Sequence, residues 1–266
     1  MDKKAIGIMD SGLGGLTVMK ELMKQLPNEE LIYLGDTKHC PYGEKTPQEL
    51  VQYVNEIADF LVAKGIKMLV LACNTATVVA LAALQERLAI PVIGMLEPAS
   101  IAALQATSQM NIGVIATQAT VRTKKYTQTL QEINPDVRVV ERACPAFVTL
   151  VEQGLSHTKE AYAVAYEDLQ IFRKKQVDTL ILGCTHFPMM KESIQKAVGQ
   201  AKLIDPAFLV AQTVAQTIKQ KDLQNNIQNP KHQIYITKEE PLFEELANLW
   251  LQSEFEVKVV DVDAKR

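Results

Sequence analysis

The sequence predicts an α/β protein of two pseudo-symmetric halves, each a parallel-type sheet flanked by helices. Three observations carry that prediction. Short apolar runs alternate with longer helical patterns along the 266 residues, as in parallel sheets buried on both faces. The rhythm restarts at Ile112. Three segments of the first half also recur in the second, in one order and at nearly one spacing. Ile6-Gly7-Ile8 returns as Ile112-Gly113-Val114, an offset of 106, and Cys40-Pro41 as Cys144-Pro145, an offset of 104. Leu69-Val70-Leu71-Ala72-Cys73-Asn74-Thr75 returns as Leu180-Ile181-Leu182-Gly183-Cys184-Thr185-His186, an offset of 111.

The elements follow in order. Ala5–Met9 reads as a strand, Leu16–Leu26 as a helix and Leu31–Leu34 as a strand. Pro47–Lys64 is helical, Met68–Ala72 a strand, Ala76–Leu88 a helix and Pro91–Gly94 a strand. In the second half Ile112–Ile115, Val137–Val140 and Thr179–Leu182 are strand-like. Near the end come strand-like Gln233–Thr237 and Val257–Val262, with a helix at Leu242–Leu251 between them. Asn225–Pro230, rich in Asn and Gln, reads as a surface loop.

Composition narrows the function classes. Hydrophobic residues make up 47% and charged residues 22%, the balance of a globular protein with a sizeable core. A net charge of −3 argues against a nucleic-acid module with a broad basic face. The longest apolar candidate, Val78–Leu84, is far short of the ~20 residues of a membrane span. Asp10 and a glycine cluster stand where a signal peptide needs its apolar stretch, which places the chain in the cytoplasm. Four cysteines (Cys40, Cys73, Cys144, Cys184) are too few and too scattered for a disulfide framework. Neither CxxC nor HExxH occurs, so no standard zinc site is expected.

In open α/β sheets, ligands sit beyond the carboxyl ends of the strands. The residues there are Asp10-Ser11-Gly12-Leu13-Gly14-Gly15, then Asp36 with His39-Cys40-Pro41-Tyr42-Gly43, then Cys73-Asn74-Thr75, and in the second half Cys184-Thr185-His186. Cys73 and Cys184 each follow an apolar strand and precede an expected helix start, where a thiolate is favoured. The helix dipole contributes ~0.3–1 kcal/mol, at most ~2. One pKa unit is ~1.36 kcal/mol, so the dipole lowers a thiol by about one unit. A further cation is needed, such as His186 or a substrate ammonium. Asp10 and Ser11 serve either as helix caps or as a clamp for an ammonium. Asn74, Thr75 and Thr185 offer polar groups beside helix-start amides, suited to a carboxylate or to capping. Tyr42 is an anchor or lid residue beside the turn residue Gly43. Glu152, on the otherwise apolar stretch Leu150-Val151-Glu152-Gln153-Gly154, is either a solvated face residue or the orienting partner of a catalytic group. Cys40 and Cys144 read as structural or supporting residues.

Two other readings compete. Gly12-Leu13-Gly14 after a strand, with Asp36 24 residues beyond Gly12, is partway to a dinucleotide site. Thr17 stands where the third glycine belongs, and Asp10 puts a negative charge beside the pyrophosphate. A metal role for the Cys and His residues fits no standard ligand spacing.

Paired thiols at equivalent strand ends of two similar halves suit a racemase, in which one base removes a proton and an opposing acid returns one. Here the sequence resembles the cofactor-independent glutamate racemases, within the aspartate/glutamate racemase family. The matching strings are Asp10-Ser11-Gly12-Leu13-Gly14-Gly15, Pro41-Tyr42-Gly43, Cys73-Asn74-Thr75-Ala76 and Gly183-Cys184-Thr185-His186-Phe187-Pro188. The resemblance implies two α/β domains, residues 1–96 plus 207–266 and residues 97–206, with the active site in the cleft between them. It implies interconversion of L- and D-glutamate without pyridoxal phosphate or metal, D-glutamate feeding peptidoglycan, and a homodimer. Carried over by position, Cys73 and Cys184 are the acid/base thiols, Cys73 facing the D-enantiomer. Asp10, Ser11, Tyr42, Gly43, Asn74, Thr75, Thr185 and His186 bind substrate, and Asp10, Glu152 and His186 assist the thiols. Aspartate is the alternative substrate; the Thr-His after Cys184 favours glutamate.

Overall fold

A computed structural model describes residues 4–262. In the first half, β1 (Ala5–Asp10), β2 (Leu31–Gly35), β3 (Ile66–Leu71) and β4 (Val92–Ile93) alternate with α1 (Leu16–Gln25), α2 (Pro47–Ala63) and α3 (Asn74–Arg87). Then α4 (Leu96–Ala106) leads into β5 (Asn111–Ala116), α5 (Gln118–Thr123), α6 (Lys125–Ile133) and β6 (Arg138–Ala143). These are followed by α7 (Pro145–Glu152), α8 (Lys159–Asp168), α9 (Gln170–Lys174), β7 (Thr179–Gly183), α10 (Lys191–Val198) and β8 (Lys202–Ile204). The chain returns through α11 (Pro206–Gln220), β9 (Gln233–Ile236), α12 (Phe243–Leu251) and β10 (Val257–Val259).

Two sheets result, one ordered β10-β9-β2-β1-β3-β4 and the other β6-β5-β7-β8, with every pairing parallel. The run β2-β1-β3-β4 has the same order as β6-β5-β7-β8. The sequence echoes map onto it: Ile6 and Ile112 lie in β1 and β5, Leu69 and Leu180 in β3 and β7, and the two Cys-Pro pairs follow β2 and β6.

Alternation along β1 explains the layering. Ile6 and Ile8 face a core shared with Leu16 and Met19 of α1 and Val210 and Val214 of α11. Met9 faces the opposite core, with Val54 and Leu61 of α2 and Ala80 of α3. Successive strand side chains point to opposite faces, so each sheet needs helices on both. In the second sheet, Leu180 and Leu182 pack with α7–α10, and Ile181 with α4 and α6. Local chemistry fixes helix starts: Thr46 caps α2 reciprocally with Glu49, and Pro47 takes the first helical position.

Three edges differ from expectation. β6 runs Arg138–Ala143 rather than Val137–Val140, and it is nowhere fully buried, so its apolar signal is weak. β8 carries no clear sequence signal. Of Val257–Val262 only Val257–Val259 is strand, on the single neighbour β9, although the Val260 N–H still donates to the Ile236 carbonyl at 2.9 Å.

Candidate active site

The carboxyl ends of both sheets open onto one cavity of about 160 Å³. Its first wall comes from Ser11 after β1, Tyr42 and Gly43 after β2, and Cys73, Asn74 and Thr75 after β3. Its second wall comes from Thr117 after β5, Pro145 and Thr149 of α7, and Cys184, Thr185 and His186 after β7. The volume lies below the ~300–1,000 Å³ of drug-sized pockets. A compact metabolite fits; a dinucleotide does not.

Cys73 is the N-cap of α3, and its Sγ accepts the Ala76 N–H at 3.5 Å. The thiol reaches Ser11 Oγ at 3.8 Å. Burial pushes Cys73 up to about 12, and the nearby Asp10 carboxylate adds to the rise.

Cys184 is built differently. The expected α-helix after it begins only at Lys191, and a 3-10 turn over Phe187–Met190 intervenes. Its cationic partner is His186, whose Nδ1 lies 3.6 Å from Cys184 Sγ. The other ring nitrogen, Nε2, meets Glu152 Oε1 at 2.5 Å. Burial opposes charge on the ring. The bonds to Cys184 and Glu152 outweigh it and hold His186 well above its ordinary value. The second thiol therefore stands beside a His186–Glu152 pair rather than at the start of an α-helix.

Asp10 stands just behind the first wall. It is fully buried and absent from the cavity wall. Its Oδ2 accepts the N–H groups of Gly12 at 3.1 Å and Gly15 at 2.9 Å, and Thr185 Oγ1 donates to its Oδ1 at 3.3 Å. The carboxylate ties the turn after β1 to the loop after β7. Burial raises its pKa, against the pull of His186 and the turn amides. Glu152 also stands behind the wall, reaching the cavity through His186.

Polar groups in the wall suit a carboxylate-bearing ligand. Asn74 Oδ1 accepts Tyr126 Oη at 2.6 Å, which leaves its buried Nδ2 donor without a protein partner. A buried donor left unpaired is costly, and a ligand acceptor satisfies it. Thr75, Thr117 and Thr120 form a hydroxyl cluster with oxygen separations of 2.9–3.2 Å, bridging the starts of α3 and α5.

Tyr42 lines the cavity, and its hydroxyl donates to Asp36 Oδ2 at 2.7 Å. Asp36 also accepts from Thr237 Oγ1 at 2.7 Å and faces His39 Nδ1 at 3.0 Å. It is 1% exposed. The acid of the dinucleotide reading is therefore a buried anchor for the loop after β2, unable to reach a ribose. Cys144 is buried in the second core. Cys40 differs: it is only partly buried and lines the cavity. Among the described residues no cluster of three or more His, Cys, Asp or Glu could hold a metal ion.

The model of one family, the Asp/Glu/hydantoin racemases, matches residues 6–214 of the chain. The chain belongs to that racemase family. A glutamate racemase of Pediococcus pentosaceus is 45% identical over 265 residues, covering 99% of this chain and all of the relative. The crystal structure of a glutamate racemase isoform from Bacillus anthracis superposes with a TM-score of 0.96 at 38% identity, covering both chains fully. That of the Francisella tularensis enzyme, in complex with D-glutamate, gives 0.93 at 35% identity over 99% of this chain and all of the other.

Close packing at this racemase-family site makes one glycine indispensable. A Cβ on Gly14 would lie 2.4 Å from Thr185 Oγ1 and 2.8 Å from His186 Nδ1. The ring cannot yield, because Glu152 pins its far side. Gly14→Ala is expected to push His186 off Cys184 and lower kcat/KM by about 100-fold, the usual cost of an ~1 Å misplacement. Steady-state kinetics on the folded variant checks this.

Proposed function

We propose that this chain is a glutamate racemase that interconverts L- and D-glutamate by proton transfer between Cys73, Cys184 and the substrate α-carbon, with neither pyridoxal phosphate nor metal. The observation that carries the reading is the placement of both thiols, from pseudo-equivalent strand ends, in one small cavity. Full-length relatives named glutamate racemase support the choice of substrate. The D-glutamate in the Francisella structure supports it further.

In the L-to-D direction, Cys184 as thiolate takes the α-proton from one face. The Cys73 thiol, kept protonated by its raised pKa, delivers its own proton to the other face. Near-simultaneous transfer limits carbanion build-up. Ser11, Asn74, Thr75 and Thr185 hold the carboxylate and ammonium. Fixed donors in a water-excluded cavity stabilise the charge that develops. Asp10, behind Ser11 and bonded to Thr185, and Glu152, behind His186, set the field at the two thiols.

The domain boundaries proposed are 1–96 plus 207–266 and 97–206, with closure over the substrate. We further propose cytoplasmic residence, a homodimer and supply of D-glutamate to peptidoglycan. The family resemblance supports these. No helix among the described residues is long and apolar enough to cross a membrane.

The test is an NMR and circular-dichroism time course of L-glutamate in D₂O with metal-stripped, pyridoxal-free protein. Loss of optical activity with deuterium at the α-carbon is expected. No change with glutamate, but turnover of aspartate in a parallel arm, would overturn the substrate assignment alone.

A further inference from the structure

One side chain touches the neighbours of both thiols. Asn74 follows Cys73 at the start of α3, and Gly183 precedes Cys184 at the end of β7. Tyr126, in α6, is 1% exposed and packs in a core with Leu130, Ile112, Val114 and Ile181. Its ring lies against Gly183, where a Cβ would come within 3.1 Å of Tyr126 Cε2 and 2.7 Å of the Ile115 carbonyl oxygen. Its hydroxyl reaches across to the first wall and donates to Asn74 Oδ1 at 2.6 Å. Burial holds the phenol well above its ordinary value, so it keeps its proton. Among the described residues Asn74 Oδ1 is the acceptor that proton finds.

A side-chain amide carries an acceptor on one arm and donors on the other. With Oδ1 engaged by the phenol, Asn74 keeps a buried Nδ2 that has no protein partner. The opposite orientation would strand the phenol proton in a buried site and turn an oxygen toward an anionic ligand, two costs that the observed one avoids. We infer that Tyr126 is a positioning residue: its hydroxyl holds the Asn74 amide so that Nδ2 is the donor presented to a substrate carboxylate. Tyr126 is absent from the cavity wall and acts through Asn74, which lines it. Asn74 follows a strand of the first sheet, whereas Tyr126 packs on the second. The bond therefore exists only while the two sheets stand together, so closure over the substrate and presentation of this donor are one event. The inference rests on the racemase reading.

The experiment is a double-mutant cycle on steady-state racemisation of L-glutamate, with wild type, Tyr126→Phe, Asn74→Ala and the double variant, each checked for folding by circular dichroism. Tyr126→Phe removes one oxygen and keeps the ring against Gly183. It is expected to lower kcat/KM by about 10-fold, with the loss carried mainly by KM, as for a binding contact shared by ground and transition states. Asn74→Ala is expected to lower kcat/KM by about 100-fold, and the double variant no further than Asn74→Ala alone. Losses that multiply, or a Tyr126→Phe loss confined to kcat, as a smaller active fraction produces, would overturn the inference. Asn74→Asp tests the orientation without touching Tyr126. It keeps an oxygen for the phenol and puts a second one where Nδ2 stood, so its kcat/KM is expected to fall below that of Asn74→Ala. A value above Asn74→Ala would overturn the orientation even if Tyr126→Phe failed to fold. If wild type leaves glutamate unchanged, the racemase reading falls, and this inference with it; multiplying losses in an active wild type sink this inference alone.

Discussion

Serine in place of Cys73 or of Cys184 is expected to abolish racemisation in both directions while sparing two different half-reactions. A hydroxyl is too weak an acid and too poor a base to replace a thiol here. Loss of one acid/base group typically costs 10²–10⁴-fold, and we expect at least about 10³-fold in kcat for each variant. The half-reactions separate the roles. An analogue with a leaving group adjacent to the α-carbon needs only proton abstraction. The thiolate takes the α-proton, the C–H electron pair forms a double bond, and the leaving group departs with its own pair. Cys73→Ser keeps Cys184 and should eliminate from the L-analogue alone. Cys184→Ser should eliminate from the D-analogue alone. Product release from each enantiomer, read by absorbance or NMR, decides it. If both variants lose the same enantiomer, the two thiols do not face opposite sides of the substrate.

Much of this site was legible because its residues directly follow buried apolar strands. Cys73 and Cys184 stand out after Leu69–Leu71 and Leu180–Leu182, runs with no polar residue to blur the strand end. The walls contributed by β5 and β6 were missed. Thr117 carries no motif, and it follows an ordinary apolar strand. The duplication held the signal: the Ile6-to-Ile112 offset of 106 carries Ser11 onto Thr117, and the Cys-Pro offset of 104 carries Pro41 onto Pro145. Both images line the cavity. Asp10 was hard to place for another reason. A carboxylate next to a glycine turn serves equally as ligand clamp or backbone brace, and only the hydrogen bonds to Gly12 and Gly15 separate the two. Strand edges were illegible where burial is partial, as in β6 and β10.

At the opposite end of the first sheet, Lys67→Met is expected to destabilise the chain severely without touching the chemistry. Lys67 lies in β3, and its ammonium meets Glu29 Oε2 at 2.5 Å; the side chains are 5% and 3% exposed. The same ammonium donates to the Leu223 carbonyl at 2.5 Å, and Glu29 Oε1 accepts the Asn225 N–H at 2.8 Å. The pair therefore pins the loop after α11 beneath the sheet, where Asn225 Nδ2 also donates to the Lys4 carbonyl. Removing one partner leaves the other charged and buried, which costs about 3–5 kcal/mol. Against a typical total of about 5–15 kcal/mol, that is a large fraction. Removing both charges at once, as Lys67→Met with Glu29→Leu, strands no buried ion, and well-packed apolar replacements of such pairs are often neutral. The double variant should accordingly recover most of the stability lost by the single one, and the non-additivity measures the coupling. Urea unfolding midpoints of the four proteins provide the cycle. Because the pair sits at the amino ends of the strands and the site at the carboxyl ends, activity per folded molecule should stay at the wild-type level in all four. A Lys67→Met variant as stable as wild type would show that the ion pair is only a local contact and that the loop is held by its backbone bonds.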